Sequence, residues 1–201
     1  MRIGFYLQDA EKYGEMAESL IRSAKKTMPD VEVWQFSDEG APQVADLIKR
    51  IPGDIPMGTR RVMHYQQCDG DWAFVDADIL FLKDVQHVFG QSFDVAMASR
   101  EGTYLEGSDY EKVMPYNFGV VFSRSPAFWG RCLQIMRRLD WKHQEWGAEQ
   151  CVACQVLDAF PHMILPAKYN YTPETRLDEL RDVHILHLKG KRKTWFPELA
   201  S

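Results

Sequence analysis

Two aspartates lie one residue apart inside an apolar segment in the middle of the chain. Residues 72–82 are all hydrophobic except Asp76 and Asp78, and the apolar sequence resumes directly at Ile79. An ionised carboxylate removed from water costs on the order of several kcal/mol unless it is paired or binds a metal, and two neighbouring carboxylates repel each other. Their oxygens suit a hard divalent cation, Mg²⁺ or Mn²⁺, that also binds substrate phosphates. The segment therefore predicts a metal-dependent nucleotide site.

The same two residues also have a purely structural interpretation. Aspartates one residue apart are common in turns, where each side chain bonds its own backbone and ends a strand. The apolar run before Asp76 fits a strand covered on both faces, as in an α/β sheet, and such sheets bind ligands at the carboxyl ends of their strands. A solvated turn would not return to the core at once, as the chain does at Ile79. The local pattern leaves both interpretations open.

A second candidate segment lies near the C-terminus, at residues 183–195. It is a short apolar strand that ends in His187 and continues into a glycine turn and a basic cluster. The His187 imidazole can bind a metal ion, Gly190 allows the backbone to approach a ligand closely, and Lys193 can neutralise a diphosphate. The alternative is a basic surface turn in which cations such as Lys189 only face water.

Together the two segments resemble the retaining glycosyltransferases of family 8, the glycogenin-like and lipopolysaccharide-galactosyltransferase-like enzymes, which have the GT-A fold. In that family an Asp-x-Asp strand end and a His-x-x-Gly-x-x-Lys-Pro-Trp segment share one metal ion and one nucleoside diphosphate. Residues 187–195 match the second motif, with Thr194 in place of the proline. Further matches follow in the family's order at residues 116–120, 149–150 and 168–170. The resemblance thus spans nearly the whole chain.

The resemblance implies roles for individual residues. The expected metal ligands are Asp76, Asp78 and His187, with Asp76 also at the ribose. The other residues expected to bind the nucleotide sugar are Leu7, Gln8, Asp9, Tyr13, Arg60, Arg61, Ala77, Gly119, Gly190 and Lys193. The residues expected at the sugar and acceptor side are Gln150, Glu149 and Asn117, where glutamate replaces the family's usual aspartate. Lone tyrosines and arginines on a helix also serve packing and solvation, so that interpretation of the Tyr and Arg positions stays open.

The reaction that the resemblance implies is a metal-dependent transfer of a hexose from a UDP-sugar, with Mn²⁺ or Mg²⁺ and Lys193 stabilising the charge on the leaving phosphate. Because Gln150 is a poor nucleophile, we expect front-face transfer with retention, in which the leaving phosphate takes the acceptor's proton. One alternative is a catalytically silent protein that binds sugar nucleotides. A haloacid-dehalogenase-like phosphatase is another, although its Asp-x-Asp normally opens the chain and precedes threonine rather than Ile79.

Composition and charge limit the domain organisation and the classes of partner that the chain could have. With 201 residues, 45% of them hydrophobic, we expect one α/β domain over residues 1–201. The net charge of −5 indicates no bulk attraction to nucleic acid or anionic membrane, so a nucleic-acid acceptor gains no support from charge. No signal peptide, membrane span or amphipathic tail is evident, which predicts a cytoplasmic protein with a soluble or macromolecular acceptor rather than a lipid-linked one. Cys151 and Cys154 fit small core residues on one helix face, rather than a zinc or redox pair.

Hydrophobic periodicity and turn signals predict alternating strands and helices around a mainly parallel, Rossmann-like sheet. Besides the strand that carries the acidic pair, the predicted strands are residues 3–7, 31–36, 93–98, 115–123, 162–165 and 183–188. The last two are expected to end the sheet. The predicted helices are residues 10–27, 41–50, 56–68, 126–139 and 148–160, and residues 101–108 are expected to form a loop.

Overall fold

The computed structural model describes residues 1–100, 109, 112, 114–144, 147–176 and 178–199. The strands of its main sheet are β1 (Arg2–Tyr6), β2 (Glu32–Ser37), β3 (Leu47–Arg50), β4 (Trp72–Val75), β6 (Val95–Ser99), β7 (Tyr116–Ser123) and β8 (His162–Leu165). Two further strands, β5 (Ile79–Phe81) and β9 (Ile185–His187), form a separate small sheet. The helices are α1 (Ala10–Thr27), α2 (Met57–Gln66), α3 (Pro126–Met136), α4 (Ala148–Val156) and α5 (Phe196–Leu199).

The main sheet has seven strands in the order β3-β2-β1-β4-β7-β6-β8. Strand β7 runs antiparallel to both of its neighbours, and all other neighbouring pairs are parallel. Because β1 and β4 are parallel and Phe5 is paired with Val75, the segments that follow these strands emerge at the same edge of the sheet. This arrangement confirms the predicted α/β architecture with a mainly parallel sheet, and it brings the acidic pair to the carboxyl edge where such sheets bind ligands.

The small sheet differs from the prediction. The apolar run does not continue as one strand through the two aspartates: β4 ends at Val75, and β5 begins at Ile79 after a turn. Strand β9 is antiparallel to β5, with Ile79 opposite His187, so the expectation that residues 183–188 end the main sheet is wrong. Periodicity shows that a segment is a buried strand, but it does not identify the strand with which it pairs. The pairing found here brings the two candidate segments together.

Both faces of the main sheet are covered. On one face, α1 packs through Leu20 and other apolar residues on a core that includes Ile3 and Val75. On the other face, helices α2, α3 and α4 enclose an aromatic layer in which Tyr65 stacks on Phe74 with ring centroids 3.9 Å apart. All four residues of β4 are buried, as expected for a strand between two helical layers.

One predicted helix is wrong. Residues 41–50 form a loop followed by the edge strand β3. The buried Gln35 side chain explains the difference, because its oxygen accepts a hydrogen bond from the Val44 backbone at 2.8 Å and its amide donates to the Pro42 carbonyl at 2.7 Å. These side-chain hydrogen bonds occupy backbone N–H and C=O groups that a helix would need for its own hydrogen bonds.

The other predicted helices and strands are confirmed, with bounds that shift by a few residues. The helix predicted to reach residue 160 ends at Val156 and continues as a 3₁₀ turn at Leu157–Ala159. Cys151 and Cys154 lie on α4 but are half-buried rather than core residues. The loop predicted at residues 101–108 lies outside the described residues. Over the described part of the chain, no helix combines the length and apolar character needed to cross a membrane.

Candidate functional site

A cavity of about 520 Å³ opens at the carboxyl edge of β1 and β4. Its volume lies in the range of small-molecule binding sites. The residues predicted from the sequence that line it are Gln8, Asp9, Tyr13, Arg61, Asp76, Ala77, Asp78, Asn117, Gly119, Glu149, Gln150, His187, Gly190 and Lys193. Two predicted residues, Leu7 and Arg60, do not line the cavity. Leu7 is buried in the core beneath α1, and Arg60 is buried in an ion pair with Asp38 at 3.1 Å.

The three predicted metal ligands converge at the centre of the cavity. Asp76 and Asp78 lie in the turn between β4 and β5, and His187 is the last residue of β9. The His187 Nε2 atom lies 3.1 Å from Asp78 Oδ1 and 3.6 Å from Asp76 Oδ2. One ligand atom from each of the three residues falls within 4.8 Å of the others, which is the spacing that a shared cation requires.

Asn170 fixes the protonation of the histidine. Its Nδ2 atom donates to the Asn117 carbonyl at 3.0 Å, so its Oδ1 atom faces His187 Nδ1 at 2.8 Å and accepts a hydrogen bond from the Nδ1–H group. Burial, together with the charge of Lys189, lowers the pKa of His187. The imidazole is therefore neutral, with the Nε2 lone pair directed toward the two carboxylates. Two carboxylate oxygens and an oriented imidazole nitrogen suit Mn²⁺ or Mg²⁺.

The protein's own cations already pair with these two acids, of which Asp78 is buried as expected, whereas Asp76 is only half-buried. The Arg61 guanidinium contacts Asp76 Oδ1 at 2.9 Å and Glu149 Oε1 at 3.2 Å, and Lys193 Nζ lies 2.7 Å from Asp78 Oδ2. Each carboxylate therefore has a cationic partner within the protein, Arg61 for Asp76 and Lys193 for Asp78.

The residues predicted for the sugar side also line the cavity, next to the three proposed metal ligands. Gln150 donates through its amide to the Tyr116 carbonyl at 3.0 Å, which anchors α4 to β7. Burial raises the pKa of Glu149 against the opposing effect of Arg61, and Glu149 Oε2 has no hydrogen-bond partner among the described residues. Asn117 Oδ1 accepts from Lys189 Nζ at 2.6 Å. Lys189 thus lines the cavity instead of only facing water.

Near the start of α1, the cavity is lined by Gln8, Asp9 and Tyr13. Asp9 also caps the helix, because its side chain accepts from the Lys12 backbone at 3.1 Å. The Lys193 ammonium lies 4.4 Å from the centre of the Tyr13 ring, close enough for a cation–π contact. These residues combine an amide, a carboxylate and an aromatic ring, which are groups able to recognise a nucleobase.

Sequence reasoning missed several residues of this cavity. Tyr6, Arg100, Met114 and Lys189 line it, and Asn170 orients His187 from behind. Asn170 belongs to a stretch that matched the family, but the match gave it no role. For Lys189, its position between His187 and Gly190 is the one signal that the sequence offers.

Comparison with known proteins gives matches only at the level of structure. No protein-family model and no curated protein matches the sequence. The galactosyltransferase LgtC, solved with donor and acceptor sugar analogues, aligns over 100% of this chain and 95% of its own with a TM-score of 0.62 and 14% identity. The glycosyltransferase GlyE of Streptococcus pneumoniae TIGR4 aligns over 96% of this chain with a TM-score of 0.68 and 15% identity. This chain spans 55% of GlyE. The chain has the GT-A fold of these glycosyltransferases.

Proposed function

We propose that this chain is a metal-dependent, retaining glycosyltransferase of family 8 that moves a hexose from a UDP-sugar to a hydroxyl acceptor. The observation that carries the proposal is the convergence of Asp76, Asp78 and His187 beside Lys193 in a nucleotide-sized cavity. The cavity lies at the edge where an α/β sheet binds its ligands. The shared fold with LgtC and GlyE supports the same assignment.

In this proposal, Asp76, Asp78 and His187 hold Mn²⁺ or Mg²⁺. The ion, when bound, supplies Lewis-acid stabilisation of the diphosphate. Lys193 is half-buried, so its ammonium can turn from Asp78 toward a phosphate, and Gly190, with φ of +57°, starts the turn that carries it. Arg61 keeps Asp76 in place and adds positive charge beside the phosphates. The base would lie against Gln8, Asp9 and Tyr13.

The proposed retention of the anomeric configuration comes from the family resemblance, and the groups on the sugar side favour one retaining route over the other. A double displacement needs a carboxylate nucleophile, but Gln150 is an amide and Glu149 is held by Arg61. Asp76 and Asp78 belong to the proposed metal site. We therefore propose front-face transfer, in which the oxygen of the leaving phosphate takes the proton of the attacking hydroxyl. Asn117, Gly119 and Gln150 would line the sugar, and the acceptor would be a soluble molecule or a macromolecule.

Calorimetry of UDP binding tests the proposal. We expect UDP to bind in the presence of Mn²⁺ and to raise the melting temperature, because a ligand of the folded state stabilises that state. Equal affinity in excess chelator would contradict metal dependence. Incubation with UDP-hexoses then separates an enzyme from a silent binding protein, which would bind the donor without hydrolysing or transferring it. An inverted anomeric proton coupling in the product would contradict retention.

A further inference from the structure

Lys189 is a cation in the cavity that no carboxylate of the described chain pairs with. With the described residues, its Nζ atom makes one polar contact, the 2.6 Å hydrogen bond to Asn117 Oδ1. That oxygen is shared, because the Gly119 backbone also donates to it at 3.3 Å. An ammonium group has three donors, so two remain for other partners. Lys189 is half-buried, and an ammonium that is partly removed from water and bonded only to an amide has no counter-ion at contact distance, which is unfavourable.

The acids of the cavity do not fill that role, and one of them, Asp9, instead accepts from the Lys12 backbone at the start of α1. Asp76 and Glu149 are both in ion pairs with Arg61, and Asp78 is in an ion pair with Lys193. Asp76 and Asp78 attract Lys189 from beyond ion-pair distance, whereas the charges of Arg100 and Lys193 repel it. Lys189 therefore has an electrostatic preference for an anionic group, which no described carboxylate supplies within ion-pair distance.

We propose that Lys189 binds the carboxylate of an acidic sugar, so that the substrate of this cavity is a hexuronic acid. The inference rests on the proposed function, since it names the substrate class of the same site. A neutral hydroxyl could also accept from Lys189, but it would leave the positive charge uncompensated, and a carboxylate would not. Lys189 lines the sugar side of the cavity next to Asn117, where the carboxylate could belong either to the donor sugar or to the acceptor.

Two binding experiments on the full chain with Mn²⁺ distinguish these sources. In the donor experiment, calorimetry compares UDP-glucuronic and UDP-galacturonic acid with UDP-glucose and UDP-galactose. In the acceptor experiment, protein saturated with UDP is titrated with methyl glucuronide or methyl glucoside. We expect the acidic sugar to bind about ten- to a hundredfold more tightly in one of the two, the range for a hydrogen bond to a charged group.

Lys189→Met should abolish this preference, because methionine keeps the length of the side chain without its charge. Lys189→Arg should retain it. Lys191→Met is the matched control, since Lys191 is exposed and does not line the cavity. The readout is the ratio of the affinity for the acidic sugar to the affinity for the neutral sugar. If Lys189 were purely structural, its substitution would leave this ratio unchanged and lower the melting temperature.

The outcomes separate the inference from the proposed function. If UDP binds with Mn²⁺ but wild-type protein shows no acidic preference in either experiment, the inference is wrong and the proposed function stands. A preference that survives in Lys189→Met likewise overturns the role of Lys189. If UDP does not bind at all, the proposed function fails and the inference fails with it.

Discussion

Lys193 contacts the acid that the proposed metal site needs. Its ammonium lies 2.7 Å from Asp78 Oδ2, and Asp78 raises the pKa of Lys193 despite the opposing effect of burial. A metal ion that binds Asp78 must therefore compete with an existing ion pair. Once released, the same ammonium is free to neutralise a phosphate. The Lys193 side chain thus weakens binding of the metal ion and strengthens binding of the nucleotide. Its removal should therefore change the two affinities in opposite directions.

We predict that Lys193→Met strengthens binding of Mn²⁺ alone and weakens binding of UDP in saturating Mn²⁺. Because Lys193 is partly solvated, loss of its ion pair should change the affinity for Mn²⁺ by about 1 kcal/mol or less, up to about fivefold. Loss of a charged contact to phosphate should weaken UDP by about tenfold or more. Calorimetry measures both constants, with Lys191→Met as the control. A weaker Mn²⁺ affinity in the variant would show that Lys193 does not compete at Asp78.

At the scale of elements, the site depends on how closely β7 passes the end of β9. Gly119 on β7 accepts a backbone hydrogen bond from Asp76 at 2.9 Å, which fixes the start of the acidic turn. A β-carbon at Gly119 would overlap the His187 ring and lie 3.0 Å from Asp76 Oδ2. The absence of a side chain at this position therefore allows strands from the two sheets to bring their polar groups together.

Gly119→Ala should displace His187 and lower the melting temperature. Forcing an extra methyl group into a packed site typically costs about 1–3 kcal/mol. We also expect the variant to lose the Mn²⁺-dependent rise in melting temperature, because the imidazole can no longer keep its position. Gly14→Ala on α1 is the control: nothing lies within 4 Å of its added methyl group, so it should stabilise by about 0.5–1 kcal/mol. An unchanged Mn²⁺ response in Gly119→Ala would remove His187 from the metal site.

The elements themselves were largely predictable from the sequence, but their partners were not. The amphipathic pattern of α1 and the proline at the start of α3 mark helices through local chemistry. The loop before β3 was missed because Gln35 on another strand holds it. The pairing of β5 with β9 joins segments about a hundred residues apart, which periodicity cannot reveal.

The same distinction applies to the site. Residues within short motifs, such as Asp76, Asp78 and His187, were predicted because those motifs resemble the motifs of family 8. Contacts between distant residues were not, and the Arg61–Glu149 ion pair spans 88 positions. The role of Lys189 was also hidden, because a lysine in a basic turn is indistinguishable from a solvated one until the fold shows that it lines the cavity.

At the scale of the whole molecule, stability depends on the aromatic layer beneath α2, and that layer contains a buried histidine. The His64 ring is fully buried, with its centroid 4.9 Å from that of Phe36 and 6.0 Å from that of Tyr6. Neither ring nitrogen has a hydrogen-bond partner of normal geometry among the described residues, although the Ser37 backbone lies close enough to oppose the lowering of the His64 pKa. Burial among these rings lowers the pKa of His64 to about 3, so the folded protein holds it neutral.

This burial predicts a loss of stability at mildly acidic pH. An unfolded histidine has a pKa of about 6.5, so between pH 6.5 and 3 the unfolded state binds a proton that the folded state excludes, and the free energy of unfolding decreases as the pH falls. From pH 7.5 to 5 the contribution is about 2 kcal/mol. His64→Leu, of similar volume, should reduce the wild-type loss over this interval by that amount in urea unfolding. Replacement of the exposed His143 by leucine is the control, because its ring stays in water in both states. If His64→Leu loses as much stability as wild type, His64 is protonated in the folded protein, and the aromatic layer admits a charge that its packing is expected to exclude.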